Sequence, residues 1–272
     1  MDGQCWWITG ASSGIGEGLA RALAAEGTRL ILSGRNVAAL ESVAKTAPER
    51  CYVLPFEATD YAIIPGIVEQ AWGWAGRIDA LVNNAGISQR SLAIETEFAV
   101  YERIVAVDLL GPIALTQAML PKLVAAGGGR IVAISSVAGI AGVPLRSAYS
   151  AAKAGLIGYH DAVRAETAHL GIEVLVVAPG SIRTNVSRNA LTADGAARGV
   201  SDDVIDSGMA VEDAVAAILA AAHAGRRELI LATGAEQQVA ELRRSDPEAL
   251  FDRMAAMMQS GYAQKMAATR AN

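Results

Sequence analysis

The sequence predicts a doubly wound α/β domain, with a parallel sheet of about seven strands, helices on both faces and a helical tail at the C-terminal end. Three observations carry this. Short apolar runs alternate with longer helical segments along the whole chain. Most of the runs lack a period-two alternation, as strands covered on both faces do. The first run leads directly into a glycine-rich turn that opens a helix. The 272 residues contain no internal repeat, low-complexity tract or linker, so residues 1–272 read as one domain.

The strands fall at Cys5 to Thr9, Arg29 to Ser33, Cys51 to Phe56, Ala80 to Asn83, Arg130 to Ser135, Glu173 to Ala178 and Glu228 to Leu231. Each intervening segment is long enough for a helical crossover, which parallel pairing requires. Cys5 and Cys51 open two of these strands. With a third strand between them they stand about 9–10 Å apart, beyond disulfide reach. Two segments depart from the alternation. Asn185 to Met209 is irregular, carries Gly195, Gly199, Gly208, Asp202, Asp203 and Asp206, and has the length of a lid. Residues 235–272 form the tail, in which Val239, Leu242, Leu250, Met254, Met257, Met258 and Tyr262 recur at helical spacing.

A composition of 52 % hydrophobic and 19 % charged residues describes a well-buried core rather than disorder. A net charge of −5 excludes a global field favouring nucleic acid. With no signal peptide and no apolar run of about 18 residues, the expectation is a reduced, cytoplasmic protein without a transmembrane segment. His160, His169 and His223 lack partners at metal spacing and read as surface or interface residues, so no metal is expected. Trp6 and Trp7 read as core; Trp72 and Trp74 pack a helix end.

A strand, then Gly10, Ser12, Ser13, Gly14, Ile15 and Gly16, then a helix through Ala24 makes a Rossmann-type dinucleotide turn. Its glycines admit the pyrophosphate, and the helix start offers free amides and a positive dipole end. The second strand ends Leu32-Ser33-Gly34-Arg35-Asn36, without the acid that usually holds the ribose of NAD. Arg35 can fork onto a 2′-phosphate and Ser33 can add a hydroxyl, which favours NADP(H) over NAD(H).

Tyr149 and Lys153 lie one helical turn apart, and an ammonium beside a phenol favours phenolate and sharpens it as a proton donor. Ser136 precedes them by thirteen residues. With the glycine turn, these motifs resemble the single-domain short-chain dehydrogenase/reductase family from Gln4 to about Leu231. Asn83-Asn84-Ala85-Gly86 is similar to the family's fourth-strand motif. The resemblance implies that Asn83, Ala85 and Gly86 support the sheet and line the adenosine ribose. It likewise puts Glu57 and Ala58 at the adenine, with Glu57 replacing the usual aspartate. Pro179-Gly180-Ser181-Ile182-Arg183-Thr184 is similar to the turn that meets the nicotinamide, with Pro179, Gly180, the Ile182 backbone and the Thr184 hydroxyl at the carboxamide. Within the family, Arg146 to Tyr149 and Thr184 to Gly195 look most like the member 7B-like branch.

One departure matters. Where the family has an active-site asparagine, this chain has Asp108, in Val107-Asp108-Leu109-Leu110-Gly111. An ionised carboxylate there would stabilise the Lys153 ammonium and partly cancel its pull on Tyr149; alternatively, Asp108 points away and pairs with a helix amide. The resemblance implies hydride transfer between nicotinamide and a carbonyl or secondary alcohol. Tyr149 is the general acid/base, Ser136 binds the same oxygen, Lys153 holds the nicotinamide ribose, and Asp108 anchors the proton relay. Val137 to Pro144, Val186 and Leu191 suggest an apolar pocket for a hydrophobic substrate, or simply pack the lid. Arg183, Arg188 and Arg198 read as solvated charges balanced by the lid's aspartates. The tail packs on its own subunit or a neighbour. The family's usual association, through Tyr101 to Leu123 and Tyr149 to Leu170, implies a homodimer or homotetramer. A non-catalytic NADP(H)-binding sensor or scaffold stays open beside the enzyme; a nucleotide-sugar epimerase is disfavoured by the glycine spacing.

Overall fold

The computed structural model describes residues 3–268. Seven parallel strands run β1 (Cys5–Thr9), β2 (Arg29–Ser33), β3 (Cys51–Val53), β4 (Ala80–Asn83), β5 (Gly129–Ile134), β6 (Ile172–Pro179) and β7 (Glu228–Leu231), in spatial order 3-2-1-4-5-6-7. The order reverses between β1 and β4, so the crevice at their carboxyl ends is the switch point where such sheets bind ligands. β3 stops three residues before the expected Phe56. Leu54 still donates to the Leu32 carbonyl, and the pairing ends there, just before Pro55.

On β1 alternate side chains enter opposite layers. Trp6 and Ile8 pack with α1 (Gly14–Ala25), α2 (Val37–Ala44) and the later helix Val211–His223; Cys5 and Trp7 pack with α3 (Ile64–Ala75) and the helices on that side. Both tryptophans are fully buried, as expected of core residues. β2 separates the two cysteine strands, both thiols are free, and burial pushes Cys5 up to about 12.

α4 (Phe98–Val105) continues through a π turn, Ala106–Leu110, into α5 (Gly111–Ala125). Pro112 explains the turn: it has no N–H for the carbonyl of Asp108 four residues back, and its ring crowds that carbonyl. Gly111 donates instead to Ala106, one residue farther back than in an α-helix. This 28-residue rod, Phe98–Ala125, contains an 18-residue window of mean hydropathy 1.6 and is long and apolar enough to cross a membrane, which the sequence alone did not suggest. Leu115, Met119 and Leu123 are nonetheless buried in the core.

The remaining helices are α6 (Val137–Ile140), α7 (Ser147–Thr167), α8 (Asp203–Asp206) and α9 (Val211–His223), followed by the tail helices α10 (Gly234–Ser245), α11 (Pro247–Gln259) and α12 (Tyr262–Ala268). The seven apolar positions read from the tail are all buried or half-buried. α10 packs on α6 and β7 of the same chain. His160 is a correction: it lies in the core of α7 rather than at a surface. Its Nδ1 meets the Leu156 carbonyl at 2.9 Å, and burial pulls its pKa down to about 4.

Candidate active site

The first βα turn is a cradle built on missing side chains. Gly10 has φ 65°, and a Cβ on Gly16 would stand 2.3 Å from the Gly10 carbonyl oxygen. Across the crevice, a Cβ on Gly14 would press on the Thr184 methyl at 3.0 Å. Ser13 caps α1 in extended conformation without a side-chain hydrogen bond, leaving the first amides of the helix uncapped. A cavity of about 440 Å³ opens between Ser13, Gly14, Thr184 and Asn185. These features fit a pyrophosphate-bearing dinucleotide. The cavity stops short of Ser136, Tyr149 and Lys153, none of which lines it.

The ends of β4, β5 and β6 bring the chemical groups together. Ser136 caps α6: its hydroxyl accepts from the Ala138 amide at 3.1 Å and donates to the Pro179 carbonyl at 3.3 Å. Ser136 also stands close enough to the Tyr149 phenol to lower its pKa. Lys153 Nζ lies 5.6 Å from the centroid of the Tyr149 ring. The buried ammonium donates to the Ile134 carbonyl at 3.1 Å and stands 3.2 Å from Asp108 Oδ2. Asp108 therefore turns towards Lys153. Its Oδ1 does accept from an amide, but from Ile87 in the loop after β4, at 2.8 Å, not from a helix. The Lys153 contact is off-axis for a hydrogen bond, leaving Oδ2 held by charge rather than by direction. Gly86 closes over the pair: a Cβ there would lie 2.8 Å from Asp108 Oδ2 and 3.2 Å from Lys153 Nζ.

Electrostatics follow from this geometry. Burial disfavours the Lys153 ammonium, but Asp108 and Tyr149 outweigh it and hold the lysine above its usual value. Burial raises Asp108, while Lys153 and the Ile87 amide pull it back in part. For Tyr149, burial dominates and raises the phenol. Lys153 pulls down as expected, Asp108 pushes up as expected, and Ser136 and Arg90 also lower it.

One expected contact is corrected. Ser33 faces the core: its hydroxyl donates to the Leu54 carbonyl at 2.6 Å and accepts from Trp7 Nε1 at 2.9 Å, so it offers nothing to a phosphate. Asn83 also points inward, its amide donating to Thr116 Oγ1 at 2.8 Å near His160. Its neighbour Asn84 braces the glycine turn instead, donating to the Thr9 and Gly10 carbonyls at 3.0 and 3.3 Å. The Ala85 amide is taken by Thr9 Oγ1, so Ala85 also supports the turn. Ala58 packs against Gly111 at the start of α5. Arg35 is exposed and faces the half-buried Glu57 at 3.8 Å. Ile182 is buried and bridges to Met209, and Gly180 donates to the Leu231 carbonyl. Leu191 packs in a core cluster with Val100, Ile104, Ala148 and Ala152, and Val137 is buried.

The lid holds the largest surprise. Arg198 and Asp202 are buried, not solvated. Arg90, next to the β4 loop, donates twice to Asp202 Oδ2 at 2.7 and 3.1 Å, Ser187 donates to the same oxygen at 2.6 Å, and Arg198 Nη1 lies 3.4 Å from it. Arg198 also reaches the Met266 carbonyl of α12 at 3.2 Å. These partners hold the Asp202 carboxyl below its usual range despite burial. Arg90 and its aspartate are 112 residues apart, so no local pattern announces them. Gln89, also missed, accepts from the Ala148 amide at 2.9 Å one residue before Tyr149. No cluster suited to a metal occurs among the described residues.

A doubly wound sheet, a glycine cradle at its switch point and a Tyr–Lys–Ser cluster beside it define a dinucleotide-dependent oxidoreductase. The sequence model of the short chain dehydrogenase family matches residues 4–196. Dehydrogenase/reductase SDR family member 7B of Bos taurus is 38 % identical over 257 residues, covering 91 % of this chain and 79 % of that protein. Among solved structures, a short-chain dehydrogenase from Streptomyces avermitilis superposes with TM-score 0.80 at 29 % identity, over 95 % of this chain and 98 % of that one. A second, from Burkholderia cenocepacia J2315 in complex with NADP, gives TM-score 0.78 at 27 % identity, over 93 % and 99 %. The chain belongs to the short-chain dehydrogenase family, and it is an oxidoreductase enzyme.

Proposed function

We propose that the protein is an NADP(H)-dependent reductase and dehydrogenase of hydrophobic carbonyls and secondary alcohols, with Tyr149 as general acid and base. One observation carries this reading: Ser136, Tyr149 and Lys153 converge, and the ammonium is fixed by Asp108 and the Ile134 carbonyl. The dinucleotide, when bound, supplies or accepts the hydride. Gly10, Gly14 and Gly16 make room for its pyrophosphate, and Thr184 faces Gly14 across the crevice. Ser136 hydrogen-bonds the substrate oxygen, Tyr149 gives it a proton in reduction or takes one in oxidation, and Lys153 sets the field in which that proton moves. The Asp108 carbonyl, left without its helical amide by Pro112, and the Asp108 carboxylate sit where a relay to Lys153 would start.

Exposed Arg35 supports the preference for NADP(H): its link to Glu57 is long and solvated, so a 2′-phosphate can displace it. The exposed apolar side chains of Phe98 and Leu110 on the α4–α5 rod support association through that rod and α7. The deciding test is consumption of NADPH and NADH with a panel of hydrophobic ketones and aldehydes, beside Tyr149→Phe. Turnover with NADPH should fall about 10²–10⁴-fold in the variant while cofactor affinity stays. Full activity in Tyr149→Phe would refute the assignment, and tight binding without turnover by the wild type would favour a cofactor sensor.

A further inference from the structure

The turn after β6, expected to meet the nicotinamide, is gripped from the tail. Glu236 lies in the first turn of α10, beyond the span matched by the family. Its Oε2 accepts from the Ser181 amide at 2.6 Å, and its Oε1 accepts from the Ser181 hydroxyl at 2.8 Å. One carboxylate thus takes both polar hydrogens of a single residue, 55 positions away. The approach is so close that Gly180 has no room for a side chain: a Cβ there would be 2.2 Å from Glu236 Oε2. The opposite side of Ser181 is also held, its carbonyl accepting from the Met209 amide at 2.9 Å, while Arg183 donates to Met209 in return. Among the described residues no lysine or arginine forms an ion pair with Glu236, so its strong acceptors are spent on Ser181.

We propose that Glu236 is a positioning residue for cofactor binding: by fixing Ser181 it sets the backbone from which Ile182 and Thr184 meet the nicotinamide end of the dinucleotide. The inference rests on the oxidoreductase reading above. A carboxylate suits the task because two donors converge on it. Glutamine offers one acceptor and turns its amide against the other donor, and aspartate falls one methylene short.

The test compares two probes that share an adenosine end, NADPH and adenosine 2′,5′-bisphosphate, on the full chain. Dissociation constants from titration calorimetry are measured for wild type, Glu236→Gln, Ser181→Ala and the double variant, with Glu241→Gln on the same helix as control. Glu236→Gln should weaken NADPH about 10-fold, the loss of one charge-assisted hydrogen bond, and leave the bisphosphate unchanged. Ser181→Ala keeps the amide bond and should weaken NADPH less, with the double variant no worse than Glu236→Gln alone. Equal weakening of both probes would show that Glu236 merely anchors the tail and would overturn the proposal. So would unchanged NADPH binding with a lowered melting temperature. If the wild type binds neither probe, the NADP(H) reading falls and takes this one with it; if it binds both and Glu236→Gln binds both as tightly, only this one falls.

Discussion

Replacing Asp108 by asparagine removes one charge from the centre of the site and keeps its shape. Asp108 Oδ2 is 3.2 Å from Lys153 Nζ, which is 5.6 Å from the Tyr149 ring centroid. At an effective dielectric of about 20, the ammonium at that distance favours phenolate by about 3 kcal/mol, roughly two pKa units. The carboxylate, up to about 9 Å from the same ring centre, opposes phenolate by about 2 kcal/mol, or roughly one unit. Most of the lysine's pull is therefore cancelled in the wild type. In Asp108→Asn the cancellation is gone, and the apparent pKa of Tyr149 should fall by about one unit. Asparagine can still accept from the Ile87 amide, so the loop after β4 keeps its tether. The assay is kcat/KM for alcohol oxidation against pH, where the phenolate is the base, with circular dichroism to confirm the fold. The rising limb should move to lower pH by about one unit. A limb that stays, or moves up, would refute the reasoning: either the carboxyl is neutral, or Lys153 loses its proton when its partner goes.

Other predictions follow from single distances. Gly86→Ala puts a Cβ 2.8 Å from Asp108 Oδ2; it should cost about 1–3 kcal/mol in denaturant titration and lower kcat/KM at least about tenfold. Wild-type stability and activity would refute the packing argument. Arg35→Ala should weaken NADPH about 10-fold and leave NADH alone, measured by fluorescence titration; equal effects on both would remove Arg35 from the 2′-phosphate. His160, depressed from 6.5 to about 4, contributes stability that is fully present above pH 6.5 and lost as pH falls towards 4. The loss should reach about 3 kcal/mol, and unfolding of His160→Asn should show a flatter pH dependence across that window. Parallel curves would refute it.

The fold was legible because its signals are local. Apolar runs, glycine turns and crossover lengths placed each strand to within a few residues, and the one that fell short, β3, did so at a visible proline, Pro55. The site was legible where spacing along one helix decides proximity, as for Tyr149 and Lys153. It was less so where facing decides. Ser33 and Asn83 stand at strand ends beside the cofactor crevice, but their side chains turn into the core, to Trp7 and Thr116. Nothing local separates Asn83 from Asn84, although one bonds into the core and the other braces the glycine turn. Least legible were contacts between distant segments. Asp202 looks like one of three solvated lid acids, and only the folded chain shows that Arg90 and Arg198 converge on it. Glu236 likewise looks like an ordinary residue of an exposed helix.

The two adjacent tryptophans on β1 give the molecule a built-in spectroscopic asymmetry. Trp6 enters the layer of α1, α2 and α9, while Trp7, Trp72 and Trp74 all belong to the opposite layer. Ultraviolet emission from the intact chain is therefore weighted towards one side of the sheet, and Trp6 alone reports the side that carries the glycine-turn helix. Replacing Trp6 by phenylalanine, or keeping it as the sole indole, separates the optical signal of one half of the core from that of the other.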